Sequence, residues 1–551
     1  MRMKAFLYLP VKKMYNNNGN DGKGTYKKIM TRHRIKSVVA ACLILILVLN
    51  GCGAPPLTED VKEEEPGITS MEEEPDLAYE VPVSLPNILV NQLGYITNGT
   101  KMAVFRGGEV SADFYVIKAD TGETAFTGTL EKGNSGKTDD QLYYGDFSAL
   151  IQPGTYYLET PILGRSYPFQ VADDLYAQVF REACRQYYYN RCGMSLTSEF
   201  AGERAHNACH TGNAVLREDI SVSLNVSGGW HQDEMGSKDV VKASENIGVM
   251  LLAYELYGGA FGDNMGIPES GNDIPDILDE IRYEIEWLLK MQDPASGAVY
   301  SGVTVYEQGT GKGSVSYVEP ADMEAAKAFA AVLAKFSYLY RNYENSFATD
   351  CLKASDRAWK YVELNEEKEL EEADPWKFAA ATELYRASGL AACHRFVTEY
   401  LSQIDSGGEL DEVTFWGYVT YISTKQRVNL DLCERITKEL MQKAEEISER
   451  AGSSGYLVEE GEGNEHNLKL LQNMMYLTMV DYMIANHEYD IVIENHFHYL
   501  MGRNEQAVCY VDNEVQNSYK QIDEAMGIMK QFGADSKLIF MLSEIVGGHT
   551  K

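Results

Sequence analysis

The feature that most constrains this 551-residue chain is a helical periodicity from about residue 174 to the C-terminus. Apolar residues recur there at intervals of three and four, the spacing of one face of an α-helix. The strand-like alternation of apolar and polar residues is almost absent, and the apolar pattern has no fixed repeat length. We therefore expect residues 174–551 to form one mostly α-helical domain, a helical barrel or a solenoid. Three such faces are Ile277, Ile281, Ile285, Leu288 and Leu289; Phe329, Val332, Leu333, Phe336 and Tyr340; and Leu470, Leu471, Met474, Met475 and Leu477.

The preceding segment, residues 86–173, has a different pattern. Short runs rich in β-branched and aromatic residues are separated by Gly, Asn and Asp, which is typical of strands joined by turns. The segment therefore predicts a small β-sandwich. The predicted strands lie within 88–95, 101–105, 113–123, 154–159 and 166–171.

The N-terminus has the composition of a targeting segment. A basic stretch, 31–36, precedes the apolar stretch 37–52, which is too short for an ordinary membrane-spanning helix. Its end, Leu49-Asn50-Gly51-Cys52, resembles a bacterial lipoprotein signal, in which the cysteine is lipidated. We therefore expect residues 1–52 to be a signal segment with a lipobox, and Cys52 to anchor the protein on the extracellular face of the bacterial membrane; an uncleaved anchor and secretion are the alternatives.

Residues 53–85 are acidic, interrupted by proline and nearly free of large apolar side chains. Such a segment cannot bury enough surface to fold alone, so we expect a disordered linker. The whole chain carries 49 Lys and Arg against 82 Asp and Glu, a formal net charge of −33. This excess of acid argues against a nucleic-acid partner and suits a neutral ligand.

Seven cysteines follow the signal segment. An odd number without regular spacing is a poor disulfide framework. Four of them, Cys184, Cys351, Cys393 and Cys433, lie in apolar helical patterns, where we expect buried thiols.

Several motifs resemble landmarks of one enzyme family. The stretches "NILVNQLGY" and "GDFSALIQPGTYYLE" resemble the immunoglobulin-like domain that precedes some family 9 glycoside hydrolases. Six later stretches resemble landmarks of that family's catalytic domain, and they occur in the family's order: "YYYNRCG", "HNACH", "SGGWH", "NDIPDILDEIRYEIEWLLKMQDP", "AATELYRASG" and "HYLMGRN". The resemblance implies an (α/α)6 barrel (174–551) behind a small immunoglobulin-like β-sandwich (86–173). It also implies β-1,4-glucans or cellodextrins as substrates, cleaved by inverting hydrolysis.

Two thiols and two imidazoles are candidate metal ligands: Cys192, Cys209, His210 and His231. Two cysteines and two histidines complete the tetrahedral coordination of Zn²⁺ and leave no coordination position for water. Their spacing matches no zinc-finger pattern, but the resemblance implies a structural zinc at these four positions. The alternative is a pair of buried thiols and two solvated histidines. We expect no ligation from His206.

The resemblance also implies calcium bound by loop oxygens. Glu269–Asp276 and Asp512–Val515 offer carboxylates. For Asn272 and Asp273, an N-cap of the following helix is an equally good explanation.

An inverting glycosidase needs one carboxyl group as acid and another as base. In the family, "GGWH" is followed by Asp-Ala-Gly-Asp and then Lys, and the second Asp is the base. A gapless alignment places Gln232 and Met235 at the two Asp positions, and Lys238 on the family's Lys. Neither Gln nor Met accepts a proton at neutral pH, so the neighbouring Asp233 and Glu234 are the candidates for a substitute base.

The predicted acid depends on the alignment near the C-terminus. In one alignment Glu514, within "NEV", is the acid after a large deletion. In the other, which we slightly favour, this region is an earlier landmark, the acid segment is missing, and Glu514 is an ordinary loop residue. The family's substrate-holding "HHR" is absent from the sequence.

Sugar rings need aromatic platforms, and Trp230, Trp416 and Tyr418 are candidates, with core packing as the alternative for each. Two functions therefore remain open. One is an enzyme acting on β-glucan or oligosaccharides, and the other is a catalytically inactive glycan-binding or scaffold lipoprotein. A solute-capture lipoprotein of a transporter is disfavoured because the sequence lacks an α/β two-lobe pattern.

Overall fold

A computed structural model describes residues 85–134, 141–307, 314–366, 374–404, 410–485, 487–511 and 527–548. The predicted signal segment with Cys52, nearly all of the predicted linker, and Glu514 lie outside these ranges.

The N-terminal part is a pair of antiparallel sheets packed face to face. One sheet has the strand order β1-β2-β6-β5; the other has the order β4-β3-β7-β8, with β9 also paired to β7. Aromatic side chains fill the space between them, and the Phe105 and Phe114 rings meet across it at 5.3 Å. The strands are β1 Ile88–Leu89, β2 Met102–Arg106, β3 Asp113–Lys118, β4 Thr124–Thr129, β5 Glu131–Lys132, β6 Leu142–Asp146, β7 Gly154–Thr160, β8 Gly164–Arg165 and β9 Phe169–Val171.

Strands β1, β2, β3, β7 and β9 lie in predicted strand segments, whereas β4, β5, β6 and β8 were not predicted. Strand β4 has only half-buried or exposed residues, so it lacks the apolar alternation that reveals a strand.

The C-terminal part contains twelve helices of eleven or more residues within the described ranges. They alternate along the chain between an outer and an inner layer. The outer helices are α1 Ala177–Tyr189, α4 Asp276–Lys290, α6 Asn345–Asn365, α8 Ala391–Gln403, α10 Leu430–Ser453 and α12 Asp490–Leu500. The inner helices are α3 Val240–Tyr257, α5 Met323–Tyr340, α7 Pro375–Ser388, α9 Glu412–Ser423, α11 Gly463–Ile484 and α13 Asp535–Gly548. A single-turn helix, α2, spans Ser198–Ala201.

The inner helices form a ring. Helix α3 packs on α5, α5 on α7 and α7 on α9, while α13 packs on both α11 and α3. This is the predicted (α/α)6 barrel. All three predicted apolar faces lie in helices, in α4, α5 and α11. None of the helices in the described ranges is both long and apolar enough to cross a bilayer.

Four inner helices begin in the same way. The carboxylates of Asp239, Asp322, Asp374 and Asp411 each accept a hydrogen bond from the backbone N–H three residues later. An N-cap of this kind contributes about 1 kcal/mol. Because consecutive helices run antiparallel, all inner helices point the same way, and these caps lie at one end of the barrel, which we name the cap end.

A further sheet, at the cap end, belongs to this mostly α-helical domain and was not predicted from the sequence. Its strands are β10 Ala214–Leu216, β11 Ser223–Leu224, β12 Lys238–Asp239, β13 Gly302–Glu307 and β14 Ser314–Val318, in the order β11-β10-β14-β13-β12. Three of the five strands have only two or three residues, which is too short for alternation to show. Strand β12 directly precedes helix α3, so the sheet adjoins the loop Gly228–Asp239.

The sandwich and the barrel share a buried polar contact. The amide nitrogen of Asn91 lies 3.0 Å from the Nδ1 atom of His498 and donates to the hydroxyl of Tyr176. Both Asn91 and His498 are buried. The cysteines of the described residues are all free thiols, and Cys184, Cys351 and Cys393 are buried as predicted. The fourth predicted buried thiol, Cys433, is only half-buried because it lies near the start of the outer helix α10.

Candidate functional site

The four predicted metal ligands converge on one point. Cys192 follows helix α1, Cys209 and His210 lie in the loop before β10, and His231 ends the "GGWH" stretch. Their ligand atoms all lie within 4.8 Å of one another. The Cys192 sulfur is 3.7 Å from Nδ1 of His210, and the Cys209 sulfur is 3.4 Å from Nε2 of His231. His206 is exposed, and its ring nitrogen contacts the neighbouring Asn207 carbonyl instead.

These distances fit a tetrahedral ion. With Zn–S and Zn–N bonds of about 2.3 and 2.05 Å, the edge between a sulfur and a nitrogen ligand is about 3.6 Å. The two observed sulfur–nitrogen distances bracket that value. An S2N2 donor set also suits a soft divalent cation rather than calcium or magnesium.

The two sulfurs are electronically unequal. A hydrogen bond from Cys192, followed by one from His231, lowers the pKa of the Cys209 thiol, although burial opposes this. The same sulfur–sulfur hydrogen bond, together with burial, raises the pKa of Cys192. The ammonium of Lys238 lies 3.7 Å from the Cys192 sulfur.

Backbone contacts bring the ligand-bearing segments together. The N–H of Cys192 donates to the carbonyl of Gly229 at 2.7 Å, and that of His231 donates to Asn190 at 2.8 Å. Gly193 allows this approach: its φ is +82°, and a Cβ there would lie 2.7 Å from the backbone nitrogen of Gly228. Only glycine fits such a contact.

Two buried carboxylates on helix α4 accept hydrogen bonds from residues next to the ligands Cys192 and His231. Glu280 accepts hydrogen bonds from Nε of Arg191, at 3.0 and 3.1 Å, and from the indole N–H of Trp230, at 2.7 Å. Glu284, one turn later, accepts from the backbone N–H of Trp230 at 2.6 Å. Burial raises the pKa of Glu284 to about 8, although Lys238 opposes the shift. We name Glu280 and Glu284 the carboxylate anchor.

Sequence reasoning missed this anchor, although a signal was present. Glu280 and Glu284 are spaced i, i+4 on the same face as Ile277, Ile281 and Ile285, so acids interrupt an apolar stripe. Buried carboxylates are rare unless they are paired, and such a pattern therefore points to a buried partner.

The structure contradicts the prediction that Trp230 and Tyr418 are sugar platforms. Trp230 is fully buried and bound to the carboxylate anchor. Tyr418 is fully buried too, and its hydroxyl donates to Glu439 at 3.3 Å. Both rings belong to the core because large apolar faces gain most by leaving water.

Trp416 is buried as well, with 5% of its surface exposed. Its ring lies edge-to-face against Trp376 at 5.7 Å. A Cβ at Gly248 would lie 2.4 Å from the ring, so the indole of Trp416 on helix α9 packs directly against helix α3. The core-packing alternative describes Trp416 better than the prediction of a cleft-facing platform.

The second half of the "GGWH" loop, Gln232–Ser237, is a self-contained turn. The side-chain amide of Gln232 donates to the carbonyl of Asp239 at 2.8 Å and accepts from its N–H at 2.9 Å. The N–H of Gln232 donates to Ser237, and that of Gly236 donates to Asp233. Gln232 therefore links the loop to the residue before helix α3, and we call this pair of hydrogen bonds the Gln232 clasp.

The predicted substitute bases are exposed on this turn. Asp233 accepts the backbone N–H of Ser237 at 2.8 Å. Partial burial opposes ionisation, but hydrogen bonds from Ser237, Gly236 and Met235 outweigh it, and the pKa of Asp233 is lowered. A carboxylate stabilised in this way is a weak proton acceptor. Glu234 and Met235 are also exposed, and Glu514 lies outside the described residues, so the predicted acid and base are not seen together.

The carboxylates of the predicted calcium loop are engaged by protein groups. Arg191 donates to both oxygens of Glu269, at 2.9 and 3.1 Å. Asp263 accepts two backbone N–H groups of this loop. The N-cap explanation for Asn272 and Asp273 is wrong, because Pro275 precedes helix α4 and the Asn272 oxygen accepts a hydrogen bond from the N–H of Ile274 within its own turn. Asp512–Val515 lies outside the described residues.

Comparison with known proteins agrees with this organisation. A model of glycosyl hydrolase family 9 matches residues 176–532, and a model of the cellulase N-terminal ig-like domain matches residues 84–165. Among solved structures, a Bacteroides ovatus family 9 protein superimposes with a TM-score of 0.73 over 84% of this chain and 99% of its own, at 24% identity. At that identity the likeness is one of fold.

Three curated relatives extend the match. An endoglucanase D of Acetivibrio thermocellus is 29% identical over 398 residues, which are 67% of this chain and 63% of that protein. A xyloglucan-specific endo-beta-1,4-glucanase of Bacteroides ovatus is 27% identical over 478 residues, 78% of this chain and 81% of the relative. A cellodextrinase of Butyrivibrio fibrisolvens is 26% identical over 79% of this chain and 86% of its own length. With the barrel, the preceding sandwich and the family model in agreement, this chain belongs to glycosyl hydrolase family 9.

Proposed function

We propose that this family 9 chain binds β-1,4-glucan or cellodextrin chains at the cap end of its barrel and does not cleave them by the family's usual inverting hydrolysis. The observation that carries the proposal is the clasp of Gln232. At the position where the resemblance places a carboxylate, an amide donates to and accepts from the backbone of Asp239, at 2.8 and 2.9 Å.

The chemistry of the adjoining residues supports the loss of hydrolysis. Inverting hydrolysis needs a carboxylate that takes a proton from the attacking water. Met235, aligned with the family's base, has no such group. Asp233 is adjacent, but its oxygen is held by the N–H of Ser237, and its lowered pKa weakens it as a base.

The ligand class follows from the family and the charge. Two of the relatives are a xyloglucan-specific endo-beta-1,4-glucanase and a cellodextrinase, and both names describe substrates with a β-1,4-linked glucan backbone. A net charge of −33 disfavours anionic polysaccharides and is compatible with a neutral glucan.

We further propose that Cys192, Cys209, His210 and His231 hold a structural Zn²⁺. Four protein ligands leave no coordination position for water, so the ion would fix the loop and take no part in a reaction. The sulfur–nitrogen distances of 3.4 and 3.7 Å support this assignment. Metal analysis of the purified protein is expected to give one zinc per chain.

The location proposed for this activity is the extracellular face of a bacterial membrane, with lipidated Cys52 and the linker 53–85 as the tether. The support comes from the sequence: an apolar stretch that ends in Leu49-Asn50-Gly51-Cys52. Expression of Cys52→Ala in a bacterial host is expected to move the protein from the membrane fraction. Unchanged fractionation, with the membrane association retained, would contradict the lipid tether.

One experiment separates binding from hydrolysis. The wild-type chain is incubated with cellohexaose, and both the release of shorter sugars and the binding heat are measured. We expect binding without release. The second candidate, residual hydrolysis, has one observation in its favour, the exposure of Glu234 beside Met235. If release occurs and Asp233→Ala, Glu234→Ala or Glu514→Ala abolishes it, hydrolysis is retained and the residue is identified.

A further inference from the structure

The sheet at the cap end has one face toward solvent. Register pairs Thr304 with Tyr317 and Tyr306 with Val315, so these four side chains share a face. On the opposite face the valines of β13 and β14 are buried: Val303, Val305 and Val318 are between 0% and 4% exposed. Tyr306 is 50% exposed, so half of a large aromatic side chain is left in water.

Neighbouring side chains hold the exposed Tyr306 ring in place. The guanidinium of Arg217 lies 4.5 Å from the ring centre of Tyr317 and 5.4 Å from that of Tyr306. Two 2.6 Å hydrogen bonds to Glu319 fix this guanidinium. The two tyrosine rings meet edge-to-face at 6.0 Å. The Tyr306 ring therefore has one side against a cation and another side open.

A fixed ring loses little conformational freedom when a ligand binds, whereas a mobile one must first be ordered. The flat faces of a sugar ring are apolar and stack on such a surface, while hydroxyls at the edges need hydrogen-bonding groups. Arg217 and Glu319 supply charged donors and acceptors beside the ring, and both side chains are partly exposed. The combination suits a neutral sugar better than an apolar peptide.

Strand β13, which carries Tyr306, is hydrogen-bonded to the end of the loop Gly228–Asp239. Lys238 pairs with Val303 and Asp239 with Gly302, and the N–H of Val305 donates to the hydroxyl of Ser237 at 3.2 Å. At about 3.4 Å per residue, Tyr306 lies about 10 Å along the strand from the residue paired with Lys238. A short oligosaccharide is long enough to reach both places.

We propose that Tyr306, braced by Arg217 and Tyr317, is a platform for a distal sugar ring of a β-1,4-glucan chain that also lies along the loop Gly228–Asp239. This inference rests on the proposed function, because it assigns one end of the same binding surface. The occupant is the glucan chain itself. The platform adds affinity only for chains long enough to extend beyond the loop.

The test compares chain lengths. Binding of cellotriose and cellohexaose to the full chain is measured by calorimetry for the wild type and for Tyr306→Ala. The expected result is a 5- to 20-fold weaker affinity for cellohexaose and an unchanged affinity for cellotriose. Tyr306→Phe keeps the ring and is expected to stay within twofold of the wild type. Arg217→Ala keeps the Tyr306 ring but removes the guanidinium that holds it. We therefore expect a loss of cellohexaose affinity between those of Tyr306→Phe and Tyr306→Ala.

The matched control is Tyr343→Ala. Tyr343 is also exposed, and it follows the end of helix α5 that is remote from the cap end, where its hydroxyl contacts Tyr254. This variant is expected to bind both sugars like the wild type. If Tyr306→Ala binds cellohexaose as tightly as the wild type does, the platform is wrong while the proposed function stands. If the wild type binds neither sugar, both proposals are overturned.

Discussion

The loop Gly228–Asp239 consists of two halves that are held in different ways. The first, Gly228–His231, is buried against the carboxylate anchor and contributes His231 to the cluster of two cysteines and two histidines. The second, Gln232–Ser237, is largely exposed and is closed by hydrogen bonds within itself and to Asp239. The first half, which makes hydrogen bonds to residues distant in the sequence, is also the half that matches the family motif "GGWH".

Under the proposed function, this difference explains how the scaffold persists where the reaction is altered. The cysteine–histidine cluster depends on Cys192, Cys209 and the buried hydrogen bonds of Trp230, and none of these contacts involves Gln232 or Met235. An amide at position 232 even adds a clasp at the start of helix α3. The fold therefore does not require carboxylates in the second half of the loop, and their loss costs the protein no stability that the structure reveals.

The largest expected effect is loss of the metal. Cys209→Ser should release the ion, which at a metal concentration 1,000-fold above Kd removes about 4 kcal/mol of stabilisation. Metal content and the thermal midpoint are measured together. Cys433→Ser, a half-buried thiol outside the cluster, is the control and should keep both. A Cys209→Ser protein with the wild-type midpoint would show that the first half of the loop does not depend on the metal.

The next effect comes from the carboxylate anchor. Glu280→Ala leaves the guanidinium of Arg191 and the indole N–H of Trp230 without their buried acceptor. Removal of one partner of a buried ion pair typically costs about 3–5 kcal/mol. Denaturant unfolding measures the loss. Glu286→Ala, at an exposed position on the same helix with an i, i+4 partner, should cost less than about 1 kcal/mol. Equal losses would contradict the anchoring role.

A smaller effect is expected in the second half. Gln232→Ala removes two hydrogen bonds to Asp239, each worth about 1 kcal/mol. Hydrogen exchange of the peptide that contains the start of helix α3 should accelerate, while the thermal midpoint changes by only a few degrees. Gln232→Glu keeps one acceptor and should show about half the effect. If Gln232→Ala also released the metal, the two halves would not be independent.

The last expected effect is a pH dependence that involves the first half of the loop. Burial raises the pKa of Glu284 to about 8, above its ordinary value of 4.5. The folded state therefore holds this proton more tightly than the unfolded state does, so the contribution is complete below about pH 4.5 and is lost as the pH rises through 8. The thermal midpoint of the metal-loaded protein should fall between pH 5 and pH 8.5.

Glu284→Gln serves as the comparison for that experiment. It keeps an oxygen acceptor for the N–H of Trp230 but cannot titrate, so its midpoint should fall less over the same pH range. An identical slope in the two proteins would mean that Glu284 does not contribute to the pH dependence.

Much of the fold could be predicted because its signals are local. The spacing of Phe329, Val332 and Phe336 is sufficient to place helix α5, since helical periodicity is written in neighbouring residues. The ligand set was predictable from types and resemblance, and the structure brings all four side chains together. The sheet β10–β14 was not predicted, because its short strands pair residues far apart in the chain.

The fate of individual side chains was harder to predict. Trp230 and Tyr418 are aromatic and occur near the family's motifs, but the same chemistry suits a sugar platform and a core position. Their burial depends on helices α4 and α10, which are remote in sequence. Tyr306, by contrast, belongs to no motif that the sequence reveals. Only its position on the solvent face of β13 distinguishes it from the other tyrosines as a candidate sugar platform.

The sequence by itself determined the order of helices, the presence of a strand-rich N-terminal part, the donor set Cys192, Cys209, His210 and His231, and the absence of carboxylates at positions 232 and 235. These properties depend on residue type and local spacing. Only the tertiary structure decided which of those groups meet, that Trp230 is a buried anchor point, and that Gln232 is a clasp. Burial and hydrogen-bond partners depend on contacts between distant segments, and such contacts exist only in the folded chain.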